Sequence, residues 1–535
     1  MTVLHDSLDS LRSAAAYPGD ATAAEGVDWI QTHISHLFLT PARVYKFRKA
    51  VDLGFVCFET LAERNADCLR EVALNRRLAP DVYLGVAPLI AGEPPHVGAV
   101  AETLADPGVE HCVVMRRLPT GRDALTLLRG GCFERSHVER FARRLARFHE
   151  SVGLGVPAPY SPDEWREACT AAFADCLQTL AREVRGAAQL QVLALLEKRF
   201  STARVALGAR FEERRRAGRA VDGHGDLHLE HVWLETGAAE PLIVDCLEFS
   251  QGLRRIDAAS DVAFAAMDFS YRGRPYLGEH LLRCYARERG DEDLFGVIDF
   301  FAGYRAAVRA KVAALAALDP EIEGAQRDAA RESATRHLSL AAAFLETPTP
   351  RNLVLVGGVV GTGKSTVADA LADELEGAGG AVVISSDRVR KQVHGASEAH
   401  SRLDGGRYAP AARTKIYDEL LSLASTVLGS GRMAILDATW SRRADRDRAR
   451  ALACEFGVRC VVLETCCEEI ATLERLARRA ARGESLSDAG PELYASSHAR
   501  FEPCGPDEAE DWRRVATEKA TWRQELPELS VWVQR

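Results

Sequence analysis

The 535-residue chain has no apolar run approaching the ~18 uncharged residues that cross a bilayer. Its opening, Met1–Asp20, lacks a basic segment followed by an apolar one, so neither secretion nor membrane insertion is expected and a cytoplasmic location is. Its thirteen cysteines include no C-x-x-C pair. They read as small core residues of a reducing compartment rather than disulfides, including the vicinal Cys466 and Cys467 after the strand-like VRCVVLET. There is no surplus of positive charge either. A formal net charge of -9 argues against a protein that coats nucleic acid or an anionic membrane. No internal repeat occurs, and the alanine-rich stretches are helix formers rather than linkers.

What is present suits a globular protein. Hydrophobic residues make up 47% and charged residues 27%, and the length calls for about two or three domains. The clearest seam is Glu346–Arg351, where Pro348 and Pro350 separate a long helical pattern from a fresh apolar strand. Before it, LFLT, RVYKF and CVVMRRL are strand-like between about 32 and 120, and the chain from about 134 to 345 is mainly helical around a strand-and-loop region at 220–250. After it, NLVLVGG, AVVISSD, MAILDAT and RCVVLET alternate with helical patterns, which predicts a parallel sheet wrapped by helices.

The run Leu353–Thr366 satisfies G-x-x-x-x-G-K-[ST] between a strand and a helix. Gly358, Gly361 and Gly363 let the backbone amides of the loop, with Thr362 and Thr366 beside them, turn toward phosphate oxygens. Lys364 reaches the outer phosphates and Ser365 offers a hydroxyl to magnesium. The next strand ends in Ser385-Ser386-Asp387-Arg388-Val389-Arg390, at the carboxyl edge where a parallel sheet presents its site, and Asp387 can take a proton from an acceptor hydroxyl or simply cap a helix. Arg475, Arg478, Arg479 and Arg482 are spaced to share a helical face leading into ARGESLSDAG. Such a lid would place charge over a transferring phosphoryl group; a solvated face paired with Glu474 explains them as well. In this context residues 351–505 resemble the P-loop small-substrate kinases, the group of gluconate and shikimate kinases, zeta-type toxins and polynucleotide 5'-kinases. The resemblance implies Asp387 as acceptor-side base, Arg388 or Arg390 as acceptor clamp, Asp437 as the carboxylate serving magnesium, and Arg475 and Arg479 as catalytic.

A second string, Val221-Asp-Gly-His224-Gly-Asp226-Leu-His228-Leu-Glu-His231, precedes Ile243-Val-Asp245-Cys-Leu-Glu248. Residues 30–320 resemble the aminoglycoside phosphotransferase group of protein-kinase-like enzymes, whose loop reads H-G-D-x-x-x-x-N. The resemblance implies that Asp226 orients and deprotonates an acceptor hydroxyl and that Asp245 holds magnesium on ATP. His224 would brace the loop, Lys46 would contact the phosphates with Glu71 as its ion-pair partner, Met115 would line the hinge, and Asp261 would be a hydrogen-bonding brace. Strand alternation puts Lys46 and Lys49 on opposite faces, so one of them points inward, and Lys46 is preferred. His231 stands where the family has asparagine; an imidazole there binds softer metals than an amide oxygen does. His224, His228 and His231 also have the spacing of a zinc site on a helix, but Gly225 and the strand-like VWLE disfavour a helix there.

These readings predict an α+β protein-kinase-like domain over 1–346 and an α/β P-loop NTPase domain with a parallel sheet over 351–535. The expected function is a bifunctional ATP- and Mg2+-dependent kinase acting on alcohol groups of small molecules. Two alternatives stay open: a first half that binds nucleotide and regulates without chemistry, and a nucleic-acid 5'-hydroxyl kinase using Arg442, Arg443, Arg446, Arg448 and Arg450. The acidic balance stands against a nucleic-acid partner.

Overall fold

The computed structural model of the chain describes residues 7–52, 57–319, 322–375, 379–394, 410–482 and 494–535. They form two compact units, one reaching to Ala172 and resuming over Phe211–Asp268, the other comprising Phe173–Arg210 and Phe269–Arg535. Among the described residues no helix is long and apolar enough to cross a membrane.

The first unit is built on an antiparallel sheet of order β1-β2-β3-β6-β4-β5, with β1 (Asp28–Gln31), β2 (Ser35–Leu39), β3 (Arg43–Arg48), β4 (Tyr83–Ile90), β5 (His96–Val97) and β6 (His111–Arg116). Its two faces follow from alternation. Tyr45 and Phe47 of β3 and Cys112 and Val114 of β6 pack with Leu11, Ala16 and Tyr17. Val113 faces the other way, onto Cys68 and Val72 of α1 (Leu61–Asn75). A reciprocal cap starts α1: the Glu63 amide donates to Thr60 Oγ1 at 3.2 Å and the Thr60 amide to the Glu63 carboxylate at 2.9 Å. Beyond the sheet come α2 (Arg135–Ser151), β7 (Ala220–Asp222), the short pair β8 (Val232–Trp233) and β9 (Leu242–Ile243), β10 (Arg255–Asp257) and α3 (Ala258–Tyr271).

The second unit includes α4 (Pro275–Arg289), α5 (Ile298–Ala316) and α6 (Gly324–Phe344). Glu346–Arg351 then leads from α6 into a five-stranded parallel sheet of order β12-β13-β11-β14-β15. Its strands are β11 (Leu353–Gly357), β12 (Ala381–Ser385), β13 (Met433–Asp437), β14 (Cys460–Cys466) and β15 (Trp512–Ala516). β11 pairs with β13 on one side and β14 on the other, so the loop leaving it emerges where the strand order reverses, the usual ligand position in open α/β sheets. Helices α7 (Lys364–Glu374), α8 (Ser386–His394), α9 (Pro410–Gly429), α10 (Arg443–Glu455), α11 (Glu469–Arg482) and α12 (Leu526–Gln534) complete the unit.

Arg432, one residue before β13, is 6% exposed and donates to both Glu279 of α4 (2.7 Å) and Asp299 of α5 (2.9 Å). The two carboxylates are what make burial of its guanidinium tolerable.

Candidate active sites

In the first unit Lys46 lies on the α1 face of β3. Its ammonium donates to Glu71 Oε1 at 2.8 Å and to Asp245 Oδ1 at 3.3 Å. Burial works against the Lys46 charge, but Glu71 and Asp245 outweigh it and hold the group above its ordinary range. Lys49 instead donates to Gln31 Oε1 at 3.0 Å on the exposed side. Asp245 adopts φ 62, a left-handed conformation rare outside glycine, and its amide donates to the Tyr83 hydroxyl at 3.1 Å. Lys46 holds its carboxyl well below the usual carboxylate range against the opposing effect of burial, with help from His231 and Arg48. Met115 is half-buried near the end of β6, packed beside the apolar cluster that Leu118, Leu242 and Val244 also join.

The loop carrying Asp226 is fixed from below by Asp261 of α3. One Asp261 oxygen accepts the His224 amide at 2.6 Å and lies 3.1 Å from His149 Nε2, while the other accepts the Gly225 amide at 3.0 Å. His224 is fully buried. Its Nδ1 accepts the Asp226 amide and its Nε2 lies 2.9 Å from the Val244 carbonyl, so its hydrogen bonds join the loop to the segment that carries Asp245. His231 does not continue a helix from His224. It ends the short turn Leu229–His231, its ring 3.8 Å from that of His228 and its Nε2 3.4 Å from Asp245 Oδ2.

One feature of this site has no counterpart among the expected residues. Arg48, fully buried, reaches Glu71 (2.6 Å), Asp67 (2.7 Å) and Glu248. Two cations, Lys46 and Arg48, thus share four carboxylates, those of Asp67, Glu71, Asp245 and Glu248. The alternation that opposes Lys46 to Lys49 also puts Arg48 on the Lys46 face, so the signal was in the strand. Burial pushes the Glu248 carboxyl up from 4.5 to about 7, with Arg48 opposing. An acid whose native pKa is raised stabilises the fold most below its unfolded value, and that contribution is lost as pH rises through the native one. Thermal unfolding of Glu248→Gln is therefore expected to be flatter than wild type between about pH 5 and 8. The two curves should diverge by a few degrees, since ~1 kcal/mol moves Tm by about 2–4 °C at this size; parallel curves would mean that Glu248 does not titrate in this window.

In the second unit the loop from β11 to α7 closes on itself. Gly358 has φ 138, and a Cβ there would meet the Thr465 carbonyl oxygen at 2.4 Å, so no side chain fits. Gly361 and Gly363 are also left-handed, at φ 85 and 89. Lys364 Nζ donates to the Val359 carbonyl at 3.0 Å, and Ser365 Oγ donates to Asp437 Oδ2 at 2.6 Å. Thr366 is exposed on the first turn of α7. The Thr362 side chain is consumed internally, by the Val359 carbonyl (2.8 Å) and the Thr465 hydroxyl (2.7 Å), so its hydroxyl braces the loop.

Burial pushes the Lys364 ammonium below its ordinary range, Asp437 and Asp387 oppose the shift, and like-charge repulsion from Arg479 adds to it. Burial raises the Asp437 carboxyl, against Lys364 and the Ser365 hydroxyl. These mutual fields mark Lys364, Asp437, Asp387 and Arg479 as one electrostatic neighbourhood. Asp387, in the first turn of α8, is paired with Arg390 at 2.5 Å. Arg388 stands 3.9 Å from Glu292, and burial makes its charge less favourable than usual.

The arginines of α11 divide. Arg475 donates to the hydroxyl (2.9 Å) and carbonyl (2.8 Å) of Thr517, whose hydroxyl donates to the Thr362 carbonyl at 2.7 Å, so it braces the P-loop through a residue after β15. Arg479 acts on Lys364, whereas Arg478 is exposed, 4.0 Å from Glu474. The side chain of Arg482 and the ESLSDAG segment lie outside the described residues. The arginines of α10 are engaged with acids: Arg443 with Asp507, Arg446 with Glu508 at 2.9 Å, Arg448 with Asp418, and Arg450 with Asp447 at 2.7 Å.

A lysine on the inner face of an antiparallel sheet, paired with a helix glutamate and facing an H-G-D loop, defines a protein-kinase-like fold in the first unit. A glycine loop whose serine meets a strand-end aspartate defines a P-loop kinase fold in the second. The chain thus joins a protein-kinase-like fold to a P-loop fold. It belongs to the family of the uncharacterized protein Rv2004c of Mycobacterium tuberculosis, to which it is 33% identical over 491 residues, 89% of this chain and 90% of the relative. The family model described as AAA domain matches residues 353–504. Among solved structures, a choline/ethanolamine kinase family protein from Mesorhizobium loti is 16% identical, covering 64% of this chain and 100% of its own, with a TM-score of 0.37. A putative kinase from Chloroflexus aurantiacus is 20% identical over 35% of this chain and 98% of its own, with a TM-score of 0.28.

Proposed function

We propose that the chain is a bifunctional ATP-dependent kinase, with an aminoglycoside-phosphotransferase-like module over 1–346 and a P-loop kinase module over 351–535, each transferring the γ-phosphoryl group of ATP to a small-molecule hydroxyl. The observation that carries this reading is the Ser365–Asp437 contact beside Lys364. A hydroxyl and a carboxylate oxygen at one edge of a glycine loop suit a hard, oxygen-seeking cation, and in the first module Asp245 offers a comparable oxygen. Magnesium bound there would neutralise charge on the nucleotide phosphates.

The rest falls to the chain's own side chains. Amides of Gly361 and of residues 363–366 and the Lys364 ammonium gather phosphate oxygens, and Arg479 adds positive charge as the phosphoryl group moves. Asp387, oriented by Arg390, accepts the proton of the acceptor hydroxyl while the new O–P bond forms and the bond to the departing ADP oxygen breaks. In the first module Lys46, held by Glu71, contacts phosphate and Asp226 takes the acceptor proton. His231 favours a second reading of that module, as a nucleotide-binding regulator without chemistry. The ion pairs along α10 leave the nucleic-acid 5'-kinase reading without a specific support.

The test is a metabolite-extract screen for ATP-dependent gain of one phosphate, run with wild type, Asp226→Asn and Asp387→Asn. Loss of different products in the two variants is expected. If Asp226→Asn loses nothing, the regulatory reading replaces transfer by the first module; if neither variant loses a product, the kinase proposal falls.

A further inference from the structure

The loop that departs from the protein-kinase-like pattern holds more metal-binding chemistry than phosphoryl transfer uses. Asp226, His228 and His231 can each offer one donor atom, and these atoms lie within 4.8 Å of one another. His228 Nε2 is 3.6 Å from Asp226 Oδ2, and His231 Nε2 is 3.4 Å from Asp245 Oδ2. Donors around a tetrahedral ion with bonds near 2.1 Å stand about 3.4 Å apart, a spacing close to that of each of these two pairs. No helix is needed, because the turn Leu229–His231 folds the two imidazoles against each other. His224, third in the spacing, is excluded: both its ring nitrogens are engaged, with the Asp226 amide and the Val244 carbonyl.

The hydrogen bonds of His231 point the same way. Its Nδ1 lies 2.9 Å from the Asp226 carbonyl, which places the ring proton on Nδ1 in the neutral imidazole. The lone pair of Nε2 then faces Asp245 Oδ2 at 3.4 Å, while Lys46 engages the other oxygen of that carboxylate, Oδ1, at 3.3 Å. A backbone carbonyl fixing one imidazole nitrogen while the other faces a cation is how metal-ligating histidines are usually held. The side chains of His228 and His231 are 9% and 14% exposed, and Asp226, at 35%, marks the open side.

We propose that Asp226, His228 and His231, with Asp245 alongside, bind a nitrogen-seeking divalent ion, of the manganese, cobalt and zinc class, in preference to magnesium. Two imidazoles with carboxylates form a donor set that transition ions accept and that magnesium, which takes oxygen, does not. The proposal deepens the reading of this loop as the first module's reaction centre and rests on it only for the role of Asp245. If it holds, that module works with a metal other than the one that serves Ser365 and Asp437.

The test uses full-length protein stripped with a chelator. Pulsed electron paramagnetic resonance of bound Mn2+ is expected to show coupling to imidazole nitrogen in wild type and none in a His228→Gln/His231→Asn double variant. Calorimetry should give wild type at least tenfold tighter binding of Mn2+ than of Mg2+ at a site that the double variant loses. Wild-type Mn2+ without nitrogen coupling overturns the proposal even if the double variant fails to fold, and so does equal affinity for the two ions. Phosphoryl transfer lost in Asp226→Asn yet fully supported by Mg2+, with no nitrogen coupling, would sink the metal assignment while leaving transfer by the first module in place.

Discussion

Lys364→Ala is expected to cut formation of the Asp387-dependent product by about 10²–10³-fold, the scale on which one charged or hydrogen-bonding group aimed at transition-state oxygens acts. Lys364 is the one ammonium within the glycine loop, and its bond to the Val359 carbonyl at 3.0 Å is readily exchanged for a phosphate oxygen. That same bond is its modest return for a charge that burial disfavours. Removing the side chain should therefore leave thermal unfolding of the second unit unchanged or slightly higher. Rate assays on the full chain, with unfolding as a control for folding, separate the outcomes. Retained rate in a folded variant would mean that the loop does not act on the transferred phosphoryl group.

Arg48→Met carries the second large effect, this time on stability. Arg48 is fully buried among Asp67, Glu71 and Glu248, and its loss leaves three carboxylates with Lys46 as their remaining central cation. Breaking a buried ion pair from one side costs about 3–5 kcal/mol, which corresponds to a fall of about 10 °C in the unfolding of the first unit. Arg48→Lys should recover only part of this, because an ammonium cannot spread donors over three carboxylates as a guanidinium does. Nucleotide binding by the first unit should weaken in parallel, since a freed Glu71 competes for Lys46. A wild-type unfolding temperature for Arg48→Met would show that the cluster protonates to neutralise itself.

The parts of this protein legible in sequence are those where local chemistry dictates the residue. The glycine loop is one, because Gly358 has no space for a Cβ and Lys364 and Ser365 follow at fixed spacing. The Lys46 strand is another, because alternation decides which side chain turns inward. What escaped depends on distant partners. Strand β4 contains Gly85 and Pro88, which read as punctuation; Gly85 in fact sits at an irregularity of register with β6. The edge strand β15, WRRVA, is half exposed and carries too little apolar signal to register as a strand. Arg475 has the spacing of a lid arginine, yet its partner Thr517 lies far along the chain and draws it into a brace. A three-residue turn, not a helix, brings the rings of His228 and His231 to 3.8 Å.

The attachment of Arg432 to Glu279 and Asp299 bears on how the protein can be divided. A fragment cut at the proline seam would start after both acids and carry a stranded guanidinium at the root of β13, beside the central strand. Expression of the P-loop portion should begin upstream of α4, and a shorter piece that precipitates would report on that missing clasp rather than on any inability of the nucleotide fold to stand alone.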